Sequence, residues 1–172
     1  AIEMGNVMVN TNMAACGGMI AAMAMVQILY KKVDVTMGLN GALAGLVSIT
    51  AGPASPSLGA AALIGAVGGV LVVLAVPMLD RLKIDDAVGA IPVHLVCGIW
   101  GTLAVVLTNA DATITGQVAS IGIVGVFVFG TSLVVWWALK ATMGIRVSAE
   151  DEINGLDMAE LGMEAYPEFS RS

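Results

Sequence analysis

Charge is scarce in this chain. Asp, Glu, Lys and Arg make up 12% of its 172 residues, against 58% hydrophobic residues and a mean hydropathy of +0.93. A soluble domain carries about 25% charged residues, because its surface must face water. Half that fraction leaves too little polar surface to wet a globule. The charges are also gathered rather than scattered. None lies from Met4 to Tyr30, from Thr36 to Leu79, after Asp86 through Ala110, or from Ala112 to Leu139. A hydrocarbon core about 30 Å thick needs roughly 20 such residues in a helix, so lipid is the solvent this composition requires.

Other scarcities narrow the function. The two cysteines, Cys16 and Cys97, both lie in apolar runs and read as small buried side chains, not a disulfide framework or a metal site. The seven basic residues are too few for nucleic-acid binding. No Gly-rich phosphate loop, paired catalytic carboxylates or nucleophile–His–acid set is visible, which argues against an enzyme and implies no cofactor. Asp85 and Asp86 are adjacent, but they precede an apolar run and read as capping and interfacial residues rather than catalytic ones.

Breakers divide the chain into hydrophobic segments at about 5–30, 37–52, 58–79, 87–107 and 117–139. The first ends at Lys31 and Lys32, and the second at Pro53 and Pro56, whose fixed φ and missing N–H suit a turn. Asp80-Arg81-Leu82-Lys83 closes the third, and Trp136, Trp137 and Lys140 close the fifth as an interfacial anchor. Helices are expected, because an open sheet edge in lipid would leave backbone groups unpaired. The expected fold is therefore all-α, a polytopic transmembrane bundle of five spans over residues 1–143, followed by a cytoplasmic region at 144–172.

The basic residues supply the orientation. Lys31, Lys32, Arg81, Lys83, Lys140, Arg146 and Arg171 all fall on one side of a five-span topology, and the loops on the other side hold no Lys or Arg. By the positive-inside rule that side is cytoplasmic, which places the C-terminus inside. Ala1 is not a methionine and runs almost at once into an apolar segment, so the sequence is expected to begin inside a longer chain. Gly41 and Gly45 are four apart, as are Gly65 and Gly69, and each pair shares a helix face on which backbones can approach closely.

From Gly144 onward the character changes. Seven of the thirteen acids lie here, interleaved with Leu156, Met158, Leu161 and Tyr166. The apolar residues favour a short structured segment docked at the cytoplasmic face; a solvated disordered tail is the alternative.

His94 is the only histidine, and it falls near the middle of the fourth segment. An ionisable group at membrane depth is costly and usually faces a bundle interior or a cavity. A neutral imidazole offers one donor and one acceptor, enough to pass along a hydrogen-bonded substrate or a proton, although a relay needs a partner that this chain does not supply. Pro92, two residues earlier, frees a backbone carbonyl. It is either a packing kink or a device that exposes polar backbone to a pathway.

The segment Asp85-Asp86-Ala-Val-Gly-Ala-Ile-Pro-Val-His94-Leu-Val-Cys-Gly-Ile-Trp-Gly101 resembles the signature of ammonium transporters. Three further blocks agree in order: Val9-Asn10-Thr11-Asn12; Gly41-Ala-Leu-Ala-Gly-Leu-Val-Ser-Ile-Thr50-Ala-Gly52; and Gly144-Ile-Arg-Val-Ser-Ala-Glu-Asp-Glu152 with Gly155-Leu-Asp157 and Gly162-Met-Glu-Ala-Tyr166. The resemblance implies the last five spans and the tail of an eleven-span inverted-repeat fold, with His94 as the second of two histidines lining a narrow apolar pore. It also implies pathway roles for Ala90, one turn before His94, and for Thr50, and a regulatory role for the tail through Gly144, Arg146, Glu150, Asp157, Gly162 and Tyr166. Ammonium or ammonia, membrane lipid, two further copies in a homotrimer and a PII-type signalling protein at the tail are the partners implied. The match has departures. Leu95 stands where the family usually has Gly, Leu161 where a His is common, and Ala159 lacks the hydroxyl that plant relatives can phosphorylate. Alongside transport, the same scaffold is compatible with an ammonium sensor, and five spans alone with a non-transporting truncated product lacking half of the repeat.

Overall fold

The structure is a computed structural model in which residues 2–164 are described. All its elements among those residues are helical: α1 (Ile2–Tyr30), α2 (Val35–Ile49), α3 (Leu58–Arg81), α4 (Ile91–Leu107), α5 (Ile114–Thr142) and α6 (Ala149–Asn154), followed by a π turn over Asp157–Leu161. The chain divides into two compact units, Ala1–Val124 and Gly125–Ser172, with the division inside α5. By length and composition α1, α3 and α5 can each cross a membrane, and α2 and α4 are shorter apolar helices.

Local chemistry sets where these helices begin. Asp34 caps α2, its Oδ1 accepting from the Met37 N–H at 2.9 Å, so the helix starts two residues before the apolar run. Ser57 caps α3 by accepting from the Ala60 N–H. The fourth helix departs most from the apolar pattern. It begins at Ile91 rather than near residue 87, because Gly89 takes a left-handed φ of 75° that breaks any helix through it. His94 therefore sits in the first turn of α4, not at its middle. Pro92 is likewise in the first turn, where its missing N–H costs no helical bond.

The core of the first unit is built from small residues. On α1 the buried positions are Asn10, Ala14, Gly18, Ala22 and Val26, a stripe repeating every fourth residue. Gly41 and Gly45 of α2 and Gly65 and Gly69 of α3 meet this stripe. A methyl group at Gly45 or Gly65 would strike the carbonyl of Ala14, and one at Gly41 or Gly69 the carbonyl of Gly18. The pairings make α1 and α3 parallel, with α2 antiparallel to both. Close backbone approach of this kind replaces the hydrophobic drive that lipid cannot provide, because it maximises dispersion contacts. Beside this junction, Ala22, Val26, Ala44, Val72, Val73, Val93 and Cys97 form one buried cluster, and Ala14, Ile49, Ala61, Ile64 and Ala104 another.

One polar group is buried at the end of the stripe. Asn10, 4% exposed, donates from Nδ2 to the carbonyls of Pro53 and Pro56, both at 2.9 Å, and so ties the α2–α3 loop to α1. By contrast, α5 has no buried residue and is apolar on every side, as suits a helix whose whole surface meets lipid or other protein.

Candidate functional site

The turn into α4 is closed by a carboxylate. Asp86 accepts from the Ala90 N–H through Oδ1 and from the Ile91 N–H through Oδ2, both at 2.8 Å. These are two of the N–H groups that a helix start leaves without partners, and the charge lies at the positive end of the helix dipole. Asp85 is exposed. Asn40, on α2, donates from Nδ2 to the Val88 carbonyl at 3.3 Å. Gly89 is buried beneath it, and a methyl group there would lie 3.0 Å from the same Nδ2.

After this turn the helix opens in π form over Ile91–Val96 and takes the α form from Cys97. Pro92 and Val93 are fully or almost fully buried, and Cys97, four residues after Val93, is buried with its Sγ on the Gly68 carbonyl at 3.4 Å. With that face turned into the core, His94 and Leu95 are exposed, as is Ala90 one turn earlier. The imidazole makes no hydrogen bond to any of the described residues, so its donor and acceptor are both free. Val88, Leu95 and Ile99, before and after it in the sequence, are apolar and exposed as well.

Thr50 is not brought to His94. It caps the C-terminus of α2, and its Oγ1 donates back to the Leu46 carbonyl at 2.7 Å. Because α2 and α4 run parallel and Gly101 meets the Ser48 backbone, Thr50 lies on the order of 10 Å further along the bundle than His94, at 1.5 Å per residue. Both side chains are exposed, at separate levels on neighbouring helices.

In the second unit the tail residues have distinct places. Gly144 ends α5 with φ 78°, and Gly162 closes the π turn with φ 67°, left-handed positions that glycine adopts without strain. Arg146 Nη2 pairs with Glu152 at 2.8 Å across the start of α6, where Ser148 is the N-cap and Glu150 lies in the acidic first turn. Asp157 opens the π turn, and its carbonyl accepts from the Gly162 N–H. Tyr166 lies outside the described residues.

Sequence reasoning missed Asn40. The available signal was a carboxamide in a stretch that runs from Thr36 to Leu79 without a charge.

The model of the Ammonium Transporter Family matches residues 1–166. The chain belongs to the ammonium transporter family. It is 37% identical over 180 residues to the ammonium transporter Amt2 of Archaeoglobus fulgidus, covering 93% of this chain and 38% of that protein. To Amt1 of Haloferax mediterranei it is 36% identical over 171 residues, covering 96% of this chain and 33% of that protein. Among solved structures, a Sensor Amt Protein superposes with a TM-score of 0.81 at 33% identity, over 93% of this chain and 42% of the other. Candida albicans Mep2 superposes with a TM-score of 0.80 at 25% identity, over the whole chain and 44% of the other. The chain thus spans about two fifths of the length of the relatives it matches. Its apolar helices and its membership of the ammonium transporter family make it part of an integral membrane protein. Its relatives are named as transporters, not as enzymes.

Proposed function

We propose that this chain is the C-terminal portion of a protein that passes ammonium across the membrane, and that His94 lines the pathway. The observation supporting the role of His94 is its imidazole, which makes no hydrogen bond to the described residues and is exposed in the first turn of α4, a turn capped by Asp86. A bare cation is costly to carry through such surroundings, whereas neutral ammonia is not, so the chemistry favours deprotonation before passage. His94 can then hydrogen-bond ammonia as donor or acceptor, and together with the second histidine that the family resemblance implies it can return the proton along a separate path. Ala90 shapes the wall one turn away, and Thr50 serves the pathway at a different level. This is transport without a chemical conversion of substrate, and not enzymology.

In this reading α1–α5 are five spans within residues 1–143, the basic ends face the cytoplasm, and residues 144–172 form a regulatory region there. The complete protein sits in the cell membrane as a homotrimer, and its tail meets a PII-type signalling protein. The test is methylammonium uptake by the full-length protein in proteoliposomes. His94→Ala is expected to abolish uptake or alter its ion selectivity; unchanged uptake and selectivity would remove His94 from the mechanism.

The likeness to a Sensor Amt Protein supports a second reading, in which the scaffold binds ammonium to signal. Deleting the tail separates the two. A transporter loses rate or regulation, whereas a sensor loses signalling and keeps ligand binding.

A further inference from the structure

Asn40 lies on a different helix from His94, yet it holds the turn from which His94 is launched. Its Nδ2 donates to the Val88 carbonyl at 3.3 Å, and the next residue, Gly89, is buried with φ 75° against the same carboxamide. From the Gly89 carbonyl the first bond of α4 runs to the Val93 N–H at 3.1 Å, and His94 follows. A π opening closes its bonds over five residues rather than the four of the α form that α4 adopts from Cys97 onward, and such turns are rare. The inner face is held by Val93 and Cys97 in the core. The outer backbone, at Val88 and Gly89, is held from α2 by Asn40.

We propose that Asn40 is a positioning residue for His94: its hydrogen bond to Val88 keeps the start of α4 in π register and so fixes the direction in which the imidazole faces. Without that hold the opening can relax into the α form. A one-residue change of register turns a side chain by roughly 100° about the helix axis, since 3.6 residues make one turn. His94 would then turn relative to the core-packed face that α4 continues from Cys97. The importance of this for flux rests on the pathway reading of His94; the positioning itself does not.

The test uses the full-length protein with Cys16→Ser, so that the exposed native thiol of this segment is gone, and His94→Cys as a reporter. The rate of labelling by a methanethiosulfonate reagent is measured with and without Asn40→Leu. A parallel Thr50→Cys reporter measures general loosening. Asn40→Leu is expected to change labelling at position 94 on the order of fivefold or more, as for residues coupled through one backbone turn, and to leave position 50 unaffected. Gly89→Ala, which crowds the Asn40 carboxamide and opposes the left-handed φ, should shift position 94 in the same way and serves where Asn40→Leu does not assemble. Unchanged labelling at position 94 in an assembled variant would overturn the proposal, and so would equal changes at both positions. Flux separates this from the pathway reading: His94→Ala without effect on uptake refutes the pathway role, whereas a strong His94→Ala effect with no Asn40→Leu effect on labelling or flux refutes the positioning.

Discussion

The carbonyl of Ala14 is approached from two sides, by Gly45 of α2 and Gly65 of α3, so adding one methyl group there tests how the bundle is held. In Gly65→Ala the new Cβ would lie 2.6 Å from the Ala14 carbonyl carbon and 2.7 Å from its Cα. Carbon atoms in contact sit about 3.5–4.0 Å apart, so α1 and α3 must separate by roughly 1 Å. All the atoms struck first are backbone, and no side-chain rotation relieves the overlap. A gap of about 0.5–1 Å forfeits a quarter to a half of the dispersion energy of each neighbouring contact, and overpacking of this kind costs about 1–3 kcal/mol. Alanine returns up to about 1 kcal/mol of helix propensity. The matched control is Gly59→Ala at the start of the same helix, where nothing lies within 4 Å of the new methyl and only the propensity gain remains. The two variants should differ by about 2 kcal/mol, a factor of roughly 30 in the folding equilibrium. Thermal or steric-trapping unfolding of the full-length protein in detergent measures it. If Gly65→Ala and Gly59→Ala fall within about 0.5 kcal/mol of each other, the range of an ordinary surface substitution, close backbone approach is not what holds these helices.

Two further variants probe the polar fastenings. Asn10→Leu removes the donor to Pro53 and Pro56 and should cost about 1–3 kcal/mol through the orphaned carbonyls; added protease should then cut the 53–57 loop faster, and wild-type cutting rates would refute the fastening. Asp86→Ala removes both N–H acceptors at the start of α4 and should cost about 1–2 kcal/mol, with Asp86→Asn intermediate because one amide oxygen can still accept; equal stability of Asp86→Ala and wild type in the same unfolding assay would show that the cap contributes nothing.

What the sequence made legible follows the physics of each signal. The helices were readable because lipid imposes long runs without charge, and the Gly41/Gly45 and Gly65/Gly69 pairs were readable because helical spacing puts them on one face. Where helices begin was less so. The start of α4 depends on Gly89 adopting a left-handed φ and on a carboxylate four and five residues upstream of the N–H groups it caps. Hydrophobicity carries neither fact, so the apolar run placed His94 at mid-helix when the backbone puts it in the first turn. Asn40 was invisible for a related reason. Its role depends on a contact 48 residues away in sequence, and spacing along one helix cannot report a partner on another.

The start of α4 is also where the chain's packing and the proposed pathway impose opposite demands on adjacent residues. Val93 must turn inward to complete the cluster with Val72, Val73 and Ala44. His94, the next residue, must face outward with both ring nitrogens unspent. In a helix the backbone fixes the angle between successive side chains, so burying one neighbour leaves the other no free choice of direction. Fixing Val93 in the core and holding the turn at Val88 and Gly89 therefore constrain the helix both within the bundle and before its first bond. An imidazole aimed this way needs no hydrogen bond of its own to keep its place, which in the proposed pathway leaves its donor and acceptor to the substrate.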